Sequence, residues 1–197
     1  MRLATGPSRR AKKPKPPPAY LPHDCAILTV DTARISGWAI YLGGRLFSYG
    51  EEDMLSERRG VAGIVARVLK YAEERGWSAV LVWEKPFAGT SQGQYVGAWK
   101  MAWIDGGGGK RRMLGVYPAT WRARVLGTSR ATRENARRAE MALARLIVGF
   151  VGGGDLGPDA AAAVCIGQWA IRAGEVAACL PKSTRKRRPK QASLVAE

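Results

Sequence analysis

The stretch SAVLVWE, residues 78–84, is apolar without a break until it reaches Glu84. A strand of that kind belongs inside a sheet covered on both faces. Helical patterns stand on either side of it. From Ser56 to Arg75 the residues Val61, Ile64, Val65, Val68, Leu69 and Ala72 share one face, and Gly76 sits where a C-terminal stop is expected. Beyond Glu84, TSQGQYVGAWKMAW can begin at an N-cap Thr90 or Ser91 and places Tyr95, Trp99 and Trp103 four residues apart. A buried strand between two helices requires an α/β layer architecture.

Upstream, CAILTV is a second β-rich apolar run, ending at Asp31, and after the polar break DTARI a third run, SGWAIYL, closes at Gly43-Gly44. Two glycines between such runs signal a hairpin, and RLFSYGE then completes a three-stranded antiparallel meander. Downstream, the glycine-rich DGGGGKRR reads as a loop and MLGVYP as a short strand closed by Pro118. TRENARRAEMALARLIVGF follows as an amphipathic helix with Ala136, Ala139, Leu143, Leu146, Ile147 and Phe150 on one side. Pro158-Asp159 opens a last helix rich in small residues. The predicted order is β-β-β-α-β-α-β-α-α: a mixed five-stranded sheet, a meander plus parallel strands, flanked by helices.

The chain has 197 residues and a net charge of +16, and much of that charge is terminal. Residues 1–23 carry six Lys or Arg and no acid, and residues 180–197 carry six against Glu197. Segments rich in Lys, Arg and Pro bury too little surface to offset ordering entropy. They are expected to be disordered arms, 1–23 and 180–197, around one domain at 24–179. Such arms suit a polyanion, and nucleic acid is the natural partner. No apolar run approaches the ~20 residues that span a bilayer, and the basic start continues into KPKPPPAYLPHD without an apolar signal core. A cytoplasmic protein with no membrane partner is expected. The odd set Cys25, Cys165 and Cys179 lacks metal-ligand spacing and reads as core thiols.

Three acids occupy equivalent-looking places. Asp31 ends the first strand, Glu84 ends the strand after the first helix, and Asp159 begins the last helix. Each has an ordinary structural reading: a turn cap, an exposed pair with Lys85, and a helix cap. Taken together they have another. Neighbouring strand ends in an open α/β sheet share a crevice, so if the first and fourth strands pair, Asp31 and Glu84 lie side by side within reach of a helix bearing Asp159. Converging carboxylates repel unless a cation neutralises them, and hard oxygen donors suit Mg²⁺ or Mn²⁺. Two such ions about 3.5–4 Å apart can serve an in-line phosphodiester displacement. An acidic metal cluster joined to basic arms points to a nuclease.

The segments ILTVDTARISGWAIY, LVWEKPF, VYPATWRARVLG and PDAAAAVCIGQWAIR, in that order over roughly residues 25–174, resemble the RuvC-type Holliday junction resolvases of the RNase H-like superfamily, in their compact bacteriophage form. The resemblance implies an RNase H-like fold and a homodimeric, Mg²⁺-dependent endonuclease, with Mn²⁺ as a substitute. It further implies symmetric nicking of four-way DNA junctions that leaves 5′-phosphates, with no small-molecule substrate. Asp31, Glu84 and Asp159 take the catalytic and metal-binding positions. The family usually carries a second acid three residues after the last of these, where this chain has Ala162; Asp155, one loop earlier, is a candidate replacement. Arg124, Arg130 and Arg133 fall where the family uses cations near the scissile phosphate, and Lys110, Arg111 and Arg112 add a basic loop for DNA. Phe87 could stack on distorted bases or anchor its loop. The stripe Tyr95, Trp99, Trp103 is either a dimer contact or core packing.

Two other functions fit the same residues. A non-catalytic branched-DNA-binding protein is compatible with Ala162, and an RNase H-like nuclease could act on other branched DNA or on RNA–DNA hybrids.

Overall fold

The computed structural model describes residues 24–55, 58–86, 90–127, 132–149, 155–173, 176 and 178–180. The two basic arms lie outside the described residues apart from Leu180. Strands β1 (Cys25–Asp31), β2 (Ile35–Leu42) and β3 (Arg45–Asp53) form the expected meander, with Gly43 and Gly44 taking the positive φ values, 56° and 81°, of the turn between β2 and β3. Helix α1 (Arg58–Glu74) leads to β4 (Ser78–Glu84), and α2 (Gly93–Asp105) leads through a short 3₁₀ turn to β5 (Met113–Val116). Three helices follow: α3 (Pro118–Val125), α4 (Arg133–Val148) and α5 (Pro158–Arg172). The sheet order is β3-β2-β1-β4-β5, antiparallel on the β1–β2–β3 side and parallel across β1–β4–β5.

Both faces of the sheet are covered, and β1 divides its residues between them by simple alternation. Ala26, Leu28 and Val30 pack with Leu81, the α1 residues Val61, Val65 and Val68, and Trp99 and Trp103 of α2. Cys25 and Ile27 face the other way, toward Val80, Val82, Trp121, Ala144 and the small residues of α5. Helix α5 lies flat on that second face because Ala160 to Ala163 bring its backbone close. The Thr29 hydroxyl donates to Ala163 O at 2.8 Å and the Tyr41 hydroxyl to Val164 O at 2.7 Å. Gly37 of β2 permits the closest approach, since a Cβ there would run into the backbone carbonyl of Asp159.

Trp99 and Trp103 are fully buried and Tyr95 is partly buried beside them, which decides the aromatic stripe in favour of core packing. Cys25 and Cys165 are buried free thiols, each pushed up to about 12 chiefly by burial, and Cys179 is half-buried. No helix among the described residues is long and apolar enough to cross a membrane.

The structure departs from the sequence pattern in three places. Two helices are expected after the last strand and three are found among the described residues, because Pro118 both closes β5 and occupies the first turn of α3. Thr90 or Ser91 is expected to cap α2, whereas Gln92 holds that position. The inner face of α4 also differs from the expected one. The buried stripe there is Ala136, Glu140 and Ala144, with Leu143 and Ile147 packed beside it, while Leu146 is 68% exposed. Phe150 lies outside the described residues.

Candidate active site

The parallel pairing of β1 with β4 ends at Val30 opposite Trp83, which leaves Asp31 and Glu84 as the next residues on adjacent strands. Neighbouring strands run about 4.8 Å apart. Asp31 continues the alternation of Ile27 and Thr29, and Glu84 that of Val80 and Val82, so both acids fall on the face that α5 covers. The Thr32 hydroxyl donates to the backbone carbonyl of Glu84 at 2.9 Å, tying the two strand ends together just past the last pair. Asp159 stands in the first turn of α5, over Gly37, which pairs with Asp31 across β1–β2.

The carboxylates sense one another. Burial holds the Asp31 carboxyl well above its ordinary range, and Glu84, Asp159 and Glu140 raise it further while Arg122 opposes them. Burial also raises Glu84, against the pull of Arg122 and of a hydrogen bond from Trp121. Asp159 is raised by burial and by Glu51, with Arg137 and Arg133 acting the other way. A hard divalent cation would relieve this shared repulsion, and carboxylate oxygens are the donors such an ion takes. The residues fit the ion in that chemical sense. As their side chains stand, no three or more His, Cys, Asp or Glu among the described residues form a ready-made cage.

Around these acids stands a set of groups that the sequence reading did not single out. Trp121 of α3 donates its indole N–H to Glu84 Oε2 at 2.7 Å. Arg122, the next residue, donates from Nε to Glu140 Oε1 at 2.7 Å and brings a terminal nitrogen to 3.9 Å from Glu84 Oε2. Glu140 is only 2% exposed. A glutamate four residues from Ala136 and from Ala144 was the available signal, because that spacing puts it on the buried stripe. At the far side, Glu51 of β3 accepts the N–H groups of Asp159 and Ala160 at 2.9 and 3.0 Å. It thereby caps the exposed amides of α5 with a negative charge.

Of the cations chosen from sequence, Arg133 opens α4 and acts on Asp159, together with Arg137 one turn later. Arg124 is exposed on α3, two residues beyond Arg122. Lys110, Arg111 and Arg112 form the 3₁₀ turn that enters β5, at the opposite end of that strand from Val116, the residue level with Glu84. The structure therefore does not bring them to the carboxylates. Asp155 is exposed ahead of α5, and it is Glu140 that acts on Asp31 as a further acid. Phe87 and Arg130 lie outside the described residues. Ala162, at 2% exposure, is buried in α5 and supplies no donor. Just past the end of β4, Lys85 Nζ lies 4.5 Å from the ring centre of Tyr117, which is 59% exposed.

No protein-family model and no curated protein matches the chain. Among the solved structures that match it are two with a TM-score of 0.50. One is RuvC of Thermus thermophilus, at 15% identity over 77% of this chain and 96% of that one. The other is the T. thermophilus RuvC in complex with a Holliday junction substrate, at 14% identity over 78% and 96%. The likeness is one of fold: this chain has a RuvC-like, RNase H-like architecture over most of its length.

Proposed function

We propose that the chain is a divalent-metal-dependent endonuclease of the resolvase type, which nicks four-way DNA junctions symmetrically as a homodimer and leaves 5′-phosphate ends. The observation that carries this reading is the placement of Asp31 and Glu84 on adjacent parallel strand ends, on the face covered by α5 with Asp159 in its first turn. Such a crevice at strand ends is where α/β sheets bind ligands. The matching RuvC structure with a junction bound has the same fold, which supports branched DNA as the substrate class.

Asp31, Glu84 and Asp159 would hold Mg²⁺, with Mn²⁺ as a substitute. When bound, the ion supplies positive charge to an attacking water and to the scissile phosphate. The chain's own residues set the stage for that chemistry. Trp121 fixes one oxygen of Glu84, the Thr32 hydroxyl fixes the backbone of the same residue, and Glu51 holds the first turn of α5 from which Asp159 projects. Arg133 and Arg137 add positive charge beside Asp159, where a phosphate backbone would approach. Further phosphate contacts are assigned to Arg124, to the lysines and arginines of the two arms, and to the 110–112 turn. Those contacts position DNA without reading its sequence.

The test is cleavage of a labelled four-way junction, a linear duplex and an RNA–DNA hybrid with Mg²⁺, by the wild-type protein and by Asp31→Asn. The junction should be nicked at paired positions and the other two substrates spared. Losing one charged ligand removes several kcal/mol of charge stabilisation, so Asp31→Asn should slow nicking roughly a hundredfold or more while still binding the junction. Equal cleavage of all three substrates would reject the resolvase assignment, and equal activity of the two proteins would reject the site.

A further inference from the structure

The turn after Asp159 offers no second carboxylate, because Ala162 stands there, buried at 2% exposure. On the other side of Glu84 the chain supplies a cation of its own. The Arg122 guanidinium lies over the Trp121 ring at 4.9 Å, is bonded to Glu140 at 2.7 Å, and reaches to 3.9 Å from Glu84 Oε2. That same Glu84 oxygen already accepts the Trp121 indole N–H at 2.7 Å. Oε2 is therefore turned to α3 and engaged there. Glu140, with a side chain 3% exposed, sits in the buried stripe of α4, a costly place for a charge unless a partner is fixed beside it. An arginine is the residue suited to this duty. Its planar fork of donors can serve two carboxylates at once.

We propose that Arg122, held by Glu140, is the resident counter-cation of the site and stands where a second divalent ion would otherwise be needed, so that Asp31, Glu84 and Asp159 take one ion and not two. The proposal rests on reading these carboxylates as a divalent-cation site. Like-charge repulsion explains the exclusivity, since a guanidinium 3.9 Å from Glu84 Oε2 opposes any further cation at that oxygen. Arg122 is on this view a counter-ion, and Glu140 a positioning residue that acts through it.

The number of bound ions tests the proposal without reference to cleavage. The full-length protein, stripped of metal, is titrated with Mn²⁺, and bound ions per chain are counted from the free Mn²⁺ electron paramagnetic resonance signal. One ion per chain is expected in the wild type, and two in Arg122→Gln, which leaves Glu84 and Glu140 uncompensated. Glu140→Gln keeps an acceptor for Arg122 and should still bind one ion and not two. A folded Glu140→Gln that binds no Mn²⁺ would make Glu140 a ligand and overturn the assignment. Two ions in the wild type, none in the wild type, or one in a folded Arg122→Gln would each overturn it as well. Should Arg122→Gln fail to fold, the wild-type count and Glu140→Gln decide between them. A wild type that binds one ion yet never cuts a junction would fail the proposed function and leave this inference standing.

Discussion

Trp121 holds Glu84 Oε2 at 2.7 Å from its indole nitrogen while its ring carries the Arg122 guanidinium, so one side chain performs two separable tasks. Trp121→Phe removes the first and keeps an aromatic face for the second. The lost hydrogen bond should cost about 1–2 kcal/mol of stability, and junction cleavage should fall about 10–100-fold, as is typical when a group that orients a metal ligand is removed. Equal cleavage rates of the variant and the wild type would show that Glu84 needs no such support. The residue scale is also where the sequence was most easily misread. Asp31, Glu84 and Asp159 stand out because each interrupts an apolar or small-residue pattern at an element's end. Arg122 does not, since it lies beside other charged residues and only packing selects it, and the one trace of Glu140 is its four-residue spacing from Ala136 and Ala144.

At the scale of elements, the placement of α5 decides where Asp159 stands, and four residues fix that helix. Thr29 and Tyr41 bond its carbonyls, Glu51 caps its first amides, and Gly37 lets its start rest on β2. Gly37→Ala would force α5 away from the strand that pairs with Asp31. Overpacking of this kind costs on the order of 1–3 kcal/mol, and each kcal/mol lowers Tm by roughly 2–4 °C in a domain of this size. A fall of several degrees in Tm, with cleavage lost more steeply than stability explains, is the expected result. An unchanged cleavage rate in a destabilised Gly37→Ala protein would mean that Asp159 is not placed by this contact. The elements themselves were largely legible. The meander, α1, β4 and the aromatic stripe follow from periods of two and of about 3.6 residues, whereas α3 was hidden because its eight residues are too short to display a helical period.

At the scale of the whole molecule, the four raised carboxyls link the site to stability. A carboxyl raised in the folded state binds its proton more tightly there than in the unfolded chain, so its stabilisation is present at low pH. It is lost as pH climbs from the ordinary value, 3.8 for Asp or 4.5 for Glu, through the raised one. The metal-free wild type should therefore lose Tm relative to Asp31→Asn as pH rises from about 4 toward neutrality, and Mg²⁺ should restore Tm to the wild type more than to the variant. A difference between the two proteins that is flat with pH would mean that Asp31 is not held in its raised state. By itself, the sequence determined the alternation of strands and helices, the buried central strands, the basic arms and three of the acids at element ends, because local periodicity and terminal signals are properties of neighbouring residues. Only the tertiary structure decided that Asp31 and Glu84 stand side by side, that Glu140 faces inward with Arg122 between it and Glu84, and that the 110–112 turn lies at the other end of β5. Those facts depend on strand order, register and helix rotation, which are set by contacts between residues far apart in the chain.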